Sequence, residues 1–216
     1  LSVLEDVKRG SSGRGLTHRS LLKDPISGGD PLKLLAIGKA APSMALGALD
    51  GLGDRIEDGL VVCHQREVAA LLPRFHWVQG DHPLPGKLSF EAGSRVCDWA
   101  RRARDDGSKV LVLLSVGASA IAESPSPGTS EAELASLHRE LVASGRPIEE
   151  INLERGRRSA LKAGGLASML GEALVDVRVL VDVPSGTLDV VGSGPCLGAP
   201  SQYTGGDPAD LILRRS

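Results

Sequence analysis

Short apolar runs alternate with longer amphipathic stretches from Pro31 onward. The apolar runs predict five strands, at residues 32–37, 59–63, 75–78, 109–114 and 177–183. The run at 109–114 is apolar on both faces, which is typical of a strand buried in a parallel sheet. It ends in a turn of small residues.

Apolar residues at helical spacing predict helices at 39–49, 87–106, 129–144 and 157–174. Ser130 and Glu133 have the spacing of a capping box, and Gly145 is a stop signal. Strands that alternate with helices predict an α/β fold with a doubly wound, mostly parallel sheet, a Rossmann-like three-layer domain.

The first thirty residues differ in composition from the rest of the chain. They contain GSSGRG and ISGGD, and this glycine and serine content predicts a flexible amino-terminal lead-in at 1–30. We expect residues 31–216 to form one domain, because a chain of 216 residues can bury a sizeable core.

Composition and charge narrow the class of protein. The net charge of −2 gives no reason to expect a nucleic-acid or membrane partner, and 2% aromatic residues argue against a base-stacking surface. Three widely spaced cysteines have no metal-ligand spacing and predict reduced thiols. The start of the chain lacks the apolar region of a signal peptide, so we expect a cytoplasmic protein.

Chemistry in an open α/β sheet is expected beyond the carboxyl ends of the strands. Lys39 follows the first strand at the start of a helix, where it could contact a phosphate or simply be solvated. Ser115, Gly117 and Ser119 follow the fourth strand and could bind an anion, or form only a tight turn. His82 lies in the proline-rich loop GDHPLPG, as a general base, a ligand or a hydrogen-bonded structural residue.

Two later stretches carry charge. Asp182 is predicted at a strand end, where it could hold Mg²⁺, accept a hydroxyl proton or cap the next helix. Arg155, Arg157, Arg158 and Lys162 form a cationic run suited to a phosphate or carboxylate, although a solvated helix end has the same composition.

Taken in order, five of these stretches resemble the motifs of one family, the glycerate 2-kinases of the MOFRL type. The family pattern runs GKAA..MA, (G/D)HPxP, SGGGSAL, ASGAxIxEIN.VRKHLSxIKGGxLA and SDVxGDxxxxIxSGPT. This sequence has GKAAPSMA at 38–45, DHPLP at 81–85, SVGASAI at 115–121, ASGRPIEEINLERGRRSALKAGGLA at 143–167 and VDVPSGTLDVVGSGPC at 181–196. The resemblance is to the amino-terminal, DUF4147-like domain and covers about residues 31–200.

The resemblance implies transfer of the γ-phosphoryl group of ATP to the 2-hydroxyl of D-glycerate or a similar hydroxy acid, with Mg²⁺, in a cleft between two α/β domains. It implies catalytic roles for Lys39 and Asp182, with Asp182 also at the metal. The residues that it implies in substrate or phosphate binding are Ser115, Gly117, Ser119, Arg155, Ser159 and Lys162. The carboxy-terminal MOFRL-like domain has no counterpart here, so a separate domain of that type or a homo-oligomer is the implied partner.

Several motif positions depart from the family pattern. Val116 and Ala118 replace two of three glycines, and we expect valine to cost strain or to force another loop shape. The departures favour an alternative hypothesis, a degenerate, non-catalytic homologue or partner subunit that retains the fold. A nicotinamide-dependent oxidoreductase is disfavoured because GxGxxG is absent.

Overall fold

The computed structural model describes residues 12–23, 25–65, 74–180, 191–197, 201–203 and 213–215. Its centre is a five-stranded sheet in the order β3-β2-β1-β4-β5, in which every pairing is parallel. A separate antiparallel pair joins two short strands near the end of the chain. The strands are β1 Leu32–Ile37, β2 Ile56–Cys63, β3 His76–Gln79, β4 Lys109–Ser115, β5 Leu174–Leu180, β6 Ser201–Tyr203 and β7 Leu213–Arg215.

Helices pack on both faces of the sheet, which confirms the doubly wound three-layer prediction. Alternate residues of β1 and β4 point into two apolar clusters, one on each face. Met44 lies in one cluster and Trp99 in the other. The described α-helices are α1 Ser12–Lys23, α2 Ala41–Leu52, α3 Lys87–Asp105, α4 Ala118–Ile121, α5 Glu131–Ala143, α6 Ile148–Arg158 and α7 Gly165–Leu170.

Most predicted elements are present within a few residues of their expected bounds. The capping box is confirmed: the Glu133 backbone N–H donates to Ser130 Oγ at 3.2 Å, and the Ser130 N–H donates to the Glu133 carboxylate at 2.8 Å. The last sheet strand begins earlier than predicted and is described to Leu180, so residues 181–183 lie outside the described chain.

The predicted helix at 157–174 is wrong. The helix α6 ends at Arg158, and the chain then runs close to residues 124–126. There the Ala160 N–H donates to the Ser124 carbonyl at 2.8 Å, and the Arg158 carbonyl accepts from the Ser126 N–H at 2.9 Å. These bonds take backbone groups out of the helical pattern, and positive φ at Ala163 and Gly164 turns the chain before α7.

The helix α1 lies where the sequence predicted a flexible lead-in. Its Leu21 is buried in the cluster that α2 covers. Its Ser20 accepts a 2.7 Å hydrogen bond from Arg178, a buried residue of β5. Composition did not reveal this helix because its apolar residues are few. The division at residue 30 stays a prediction.

Among the described helices, none has the length and apolar character needed to cross a bilayer. Cys63, Cys97 and Cys196 all lie in the described part of the chain, are buried and form no disulfide.

Candidate active site

The centre of the sheet provides a crevice for a ligand. The chain order reverses between β1 and β4, and ligands of open α/β sheets bind outside the carboxyl ends of the strands at such a point. Gly38 and Lys39 follow β1, whereas Val116 and Gly117 follow β4. The candidate site is therefore built on two adjacent strand ends.

Backbone contacts hold these two strand ends together. The Lys39 N–H donates to the Val116 carbonyl at 3.0 Å, and the Ala40 N–H donates to Ser115 Oγ at 3.0 Å. A Cβ at Gly38 would lie 2.3 Å from Ser115 Oγ, and the φ of Gly38 is 129°. Position 38 thus requires glycine for two reasons: a side chain would clash with Ser115, and the positive φ is unfavourable for other residues. Ser115 is fully buried and fixes the turn that carries Lys39.

The Gly117 turn brings a second motif to the site. Gly117 has φ 84°, and a Cβ there would lie 3.1 Å from Lys39 Cγ and 3.2 Å from His82 Cδ2. Lys39, Gly117 and His82 therefore converge, although they come from three separate motifs. Ser119 follows in the short helix α4 and is half-buried.

The expected strain at Val116 does not occur. Among the described residues with positive φ are Ala163 and Ser193, but neither Val116 nor Ala118. The Val116 side chain is 36% exposed. Gly117 is the residue of this turn that needs glycine, and this chain retains it, so the turn forms without the other two glycines.

His82 lies near Lys39, and a second histidine, His64, lies beside His82. The rings of His64 and His82 have centroids 5.7 Å apart. Burial lowers the pKa of His82, and the charges of Lys39 and His64 lower it further. His64 follows β2 directly and was missed from the sequence, although the same strand-end rule would have identified it. The preceding residue, Cys63, accepts a 3.0 Å hydrogen bond from Trp77 Nε1.

A second polar group surrounds a fully buried carboxylate, that of Glu123. It accepts from Ser159 Oγ at 2.5 Å, bonds to His138 Nε2 at 2.7 Å and contacts the Lys162 ammonium. Arg155 lies close enough to interact with Glu123 through charge. We call these five residues, Glu123, His138, Arg155, Ser159 and Lys162, the Glu123 cluster. Each of its members is less than 10% exposed.

The structure thus places Arg155, Ser159 and Lys162 together but in a buried environment. Burial opposes ionisation of Glu123, yet Lys162 and His138 outweigh it and lower the pKa to about 2. Burial also lowers the pKa of His138, which favours the neutral imidazole. Sequence reasoning missed Glu123 and His138; a glutamate in the otherwise apolar and small stretch AIAESP was the available signal.

The loop at 191–197 joins the two groups. A Cβ at Gly192 would lie 3.1 Å from the Ala118 side chain, next to the Gly117 turn. On its other side, the Ser193 and Gly194 carbonyls accept from the N–H groups of Ala163 and Gly164 at 3.0 and 2.8 Å. All five motifs are therefore linked to one another through their described residues.

The metal prediction rests on Asp182, which lies outside the described residues, so it stays a prediction. No group of three or more histidine, cysteine, aspartate or glutamate side chains in the described part of the chain could hold a metal ion.

Comparison with known proteins identifies relatives of this site and fold. A family model described as Domain of unknown function (DUF4147) matches residues 11–214. The chain is 36% identical over 166 residues to D-glycerate 2-kinase of Thermotoga maritima, covering 77% of this chain and 40% of that protein. It is 32% identical over 181 residues to a putative hydroxypyruvate reductase of Agrobacterium vitis, covering 84% and 46%.

A solved structure agrees with these matches. The crystal structure of glycerate kinase from Thermotoga maritima has a TM-score of 0.75 and 28% identity, and the alignment covers 99% of this chain and 55% of that one. The chain spans less than half the length of the curated relatives described above. The motif order, the sheet and the family match agree: the chain belongs to the DUF4147 family, and its resemblance to the glycerate 2-kinases is confirmed.

Proposed function

We propose that the chain contributes to a glycerate kinase, which transfers a phosphoryl group from ATP to the 2-hydroxyl of D-glycerate or a similar small hydroxy acid. The observation that carries the proposal is the convergence of Lys39, Gly117 and His82 at the switch point of the sheet. Names given to the relatives support it.

The Lys39 turn fits a phosphate group. Phosphoryl transfer depends on positioned positive charge, and Lys39 supplies that charge next to the turn of Gly117. Ser115 acts by positioning, since it is buried and its hydroxyl already accepts from Ala40. ATP, when bound, supplies the phosphoryl group; Lys39 and the Gly117–Ser119 turn would hold its phosphates.

Asp182, the residue proposed to hold magnesium, lies outside the described residues, and these contain no group of three or more histidine, cysteine, aspartate or glutamate side chains suited to a metal. No step of the proposal is therefore assigned to the ion. Asp182 stays a proposal as a residue that assists the metal or the hydroxyl.

The test is glycerate-dependent release of ADP by the chain, both alone and together with a carboxy-terminal MOFRL-type domain, with ATP binding measured by calorimetry in both cases. Lys39→Ala should lower turnover about 100-fold, as for removal of one charge-stabilising donor. Lys33→Ala is the matched control: Lys33 lies near the amino end of the same strand and binds Asp106 at 2.9 Å. Its turnover should match that of the wild type.

A degenerate, non-catalytic homologue is the second candidate, favoured by the departures from the family pattern, among them Val116 and Ala118 in place of two glycines. It predicts neither turnover nor ATP binding, and that pair of results would overturn the kinase proposal. An oxidoreductase, suggested by the name of the Agrobacterium relative, would instead show nicotinamide binding despite the absence of GxGxxG.

A further inference from the structure

A surface groove of about 260 Å³ lies between strand β3 and helix α3. Its floor is apolar, because Leu60, Val78 and Trp99 line it and all three are buried. Strand β3 is at the edge of the five-stranded sheet, next to β2. The groove is therefore a feature of the sheet edge and not of the sheet centre, where the candidate active site lies.

Four exposed polar residues complete the lining of the groove. Arg95, Asp98 and Arg102 follow one another on α3 at spacings of three and four residues, which places them on one face of the helix. The Cα atoms of the two arginines are about 10 Å apart along the axis, with Trp99 between them. His76, the first residue of β3, lies on the other side of the groove. The apolar floor is thus flanked by basic side chains.

The guanidinium groups of Arg95 and Arg102 make neither an ion pair nor a hydrogen bond with any residue that the structure describes. Two other arginines of the same helix are paired with acids. These pairs are Arg101 with Asp98 at 3.3 Å and Arg104 with Asp105 at 2.8 Å. The two arginines that line the groove are therefore the ones whose hydrogen-bond donors stay available to a ligand.

The groove is positively charged, although the whole chain has a net charge of −2. Both arginines keep their charge at all ordinary pH values. Among the described residues that line the groove, Asp98 is the one acid, and its carboxylate already pairs with Arg101. An anion in the groove would therefore meet two guanidinium groups without an acidic competitor bound to either.

The groove is separate from the candidate active site. Its described lining residues include none of the strand-end residues and no member of the Glu123 cluster. His76 lies at the amino end of β3, whereas the candidate active site is built at the carboxyl ends of the strands. A molecule in the groove would therefore be a second ligand, whose binding does not depend on phosphoryl transfer.

We propose that this groove binds a small organic anion in which a carboxylate or a phosphate is joined to an apolar ring. The ring packs on Leu60, Val78 and Trp99, and the anionic group binds Arg95 and Arg102. The planar guanidinium suits two-point binding of a carboxylate or phosphate. Ligand pockets commonly combine an apolar lining with a few polar groups that fix orientation. The volume is just below the range of about 300–1,000 Å³ for drug-sized ligands, which indicates a smaller molecule.

Calorimetric titration of the full chain with four probes tests the class of ligand. Phenyl phosphate and benzoate join a ring to an anion, whereas benzyl alcohol has only the ring and inorganic phosphate only the anion. A probe with both features should bind at least about fivefold more tightly than a probe with one, because apolar contact and charge both contribute. Tighter binding of benzoate assigns a carboxylate, and tighter binding of phenyl phosphate assigns a phosphate.

Substitutions on α3 test the location. Arg95→Gln and Arg102→Gln should each lower the affinity for the preferred anion roughly 10-fold, which corresponds to the loss of a hydrogen bond to a charged group. Asp98→Asn should raise that affinity about two- to fivefold, because it removes the acid from the groove. Arg104→Gln is the matched control: Arg104 is an exposed arginine of the same helix that pairs with Asp105 and does not line the groove. Its affinity should equal that of the wild type.

Lys39→Ala separates the groove from the candidate active site. This variant should bind the preferred anion as the wild type does, since Lys39 does not line the groove. Loss of binding in Lys39→Ala, with no effect of Arg95→Gln or Arg102→Gln, would place the anion in the crevice and overturn the proposal. Failure of both ring-containing anions to bind the wild type would also overturn it.

The proposed function can fail separately. A chain without turnover or ATP binding that still binds the anion through Arg95 and Arg102 would retain the groove site and lose the kinase assignment. Turnover that depends on Lys39, in a chain whose groove binds neither anion, would do the reverse.

Discussion

At the scale of single residues, Gly156 and Ala163 form a coupled pair. A Cβ at Gly156 would lie 2.7 Å from the Ala163 side chain, a distance that Cβ atoms do not adopt. Ala163 has φ 48°, which costs an L-residue about 1–2 kcal/mol. The pattern of the kinase family has lysine at the first position and glycine at the second. This chain has glycine at position 156, within helix α6, and alanine at position 163, after it.

Exchanging the two residues should stabilise the protein. Ala163→Gly removes strain and clash, while Gly156→Ala in helix α6 gains about 1 kcal/mol of helix propensity. Gly156→Ala alone should be no more stable than the wild type, because the new Cβ meets Ala163. The double variant should exceed the wild type by about 1–2 kcal/mol in free energy of unfolding. Urea denaturation of the wild type, the two single variants and the double variant measures the coupling energy between the two positions. If the two single effects add up to the effect of the double variant, the residues are not coupled.

At the scale of elements, helix α1 makes two polar contacts of different burial, one with strand β5 and one with helix α2. Arg178, 1% exposed, donates to Ser20 Oγ. Arg14 pairs with Asp50 at the surface, where Nη2 and Oδ1 are 2.7 Å apart. The buried contact should contribute more to the free energy of unfolding, because a buried arginine that loses its acceptor cannot form a replacement hydrogen bond with water.

Ser20→Ala should therefore lower the free energy of unfolding by about 1–3 kcal/mol. It should also reduce amide-exchange protection in α1. Asp50→Asn, the control on the partner helix, should cost less than about 1 kcal/mol. Equal effects of the two substitutions on the free energy of unfolding would show that the buried contact contributes no more stability than the exposed one.

The elements also show what a sequence can predict. The helix α5 was predicted with its cap because Ser130 and Glu133 act locally. The helix predicted at 157–174 failed because the bonds that end α6 reach back to Ser124 and Ser126. Those partners lie more than thirty residues earlier, and no local pattern encodes them.

The candidate site divides in the same way. The strand-end rule was sufficient for Lys39 and Gly117, because each lies directly after an apolar run. The Glu123 cluster was not predictable, since it depends on packing between α5, the segment after α6 and the segment after α4. Arg155 and Lys162 have the same charge in the sequence, and only the structure shows that Lys162 contacts Glu123 directly.

At the scale of the whole molecule, Glu123 should control how stability changes with pH. Its pKa is about 2 in the folded protein, against an ordinary value of 4.5. The ionised carboxylate therefore contributes stability above pH 4.5, and that contribution is lost as the pH falls towards 2. The difference corresponds to roughly 3 kcal/mol.

Glu123→Gln should thus be less stable than the wild type at pH 7 by roughly 3 kcal/mol, and the gap should narrow below pH 4.5. Urea denaturation across this range measures it. Glu91→Gln, an exposed carboxylate 3.7 Å from Lys87, should differ from the wild type by less than about 1 kcal/mol at every pH. A gap for Glu123→Gln that is constant from pH 7 to pH 3 would exclude the ion-pair role.

Trp77, which is hydrogen-bonded to Cys63 beside the crevice, can serve as an intrinsic fluorescent probe of ligand binding. The chain has two tryptophans, and Trp99 is buried in the core. Trp77 is half-buried, and its indole N–H donates to the sulfur of the residue that precedes His64. A Trp99→Phe variant would leave one emitter next to the strand ends. Its fluorescence could then follow ligand entry in real time without a label.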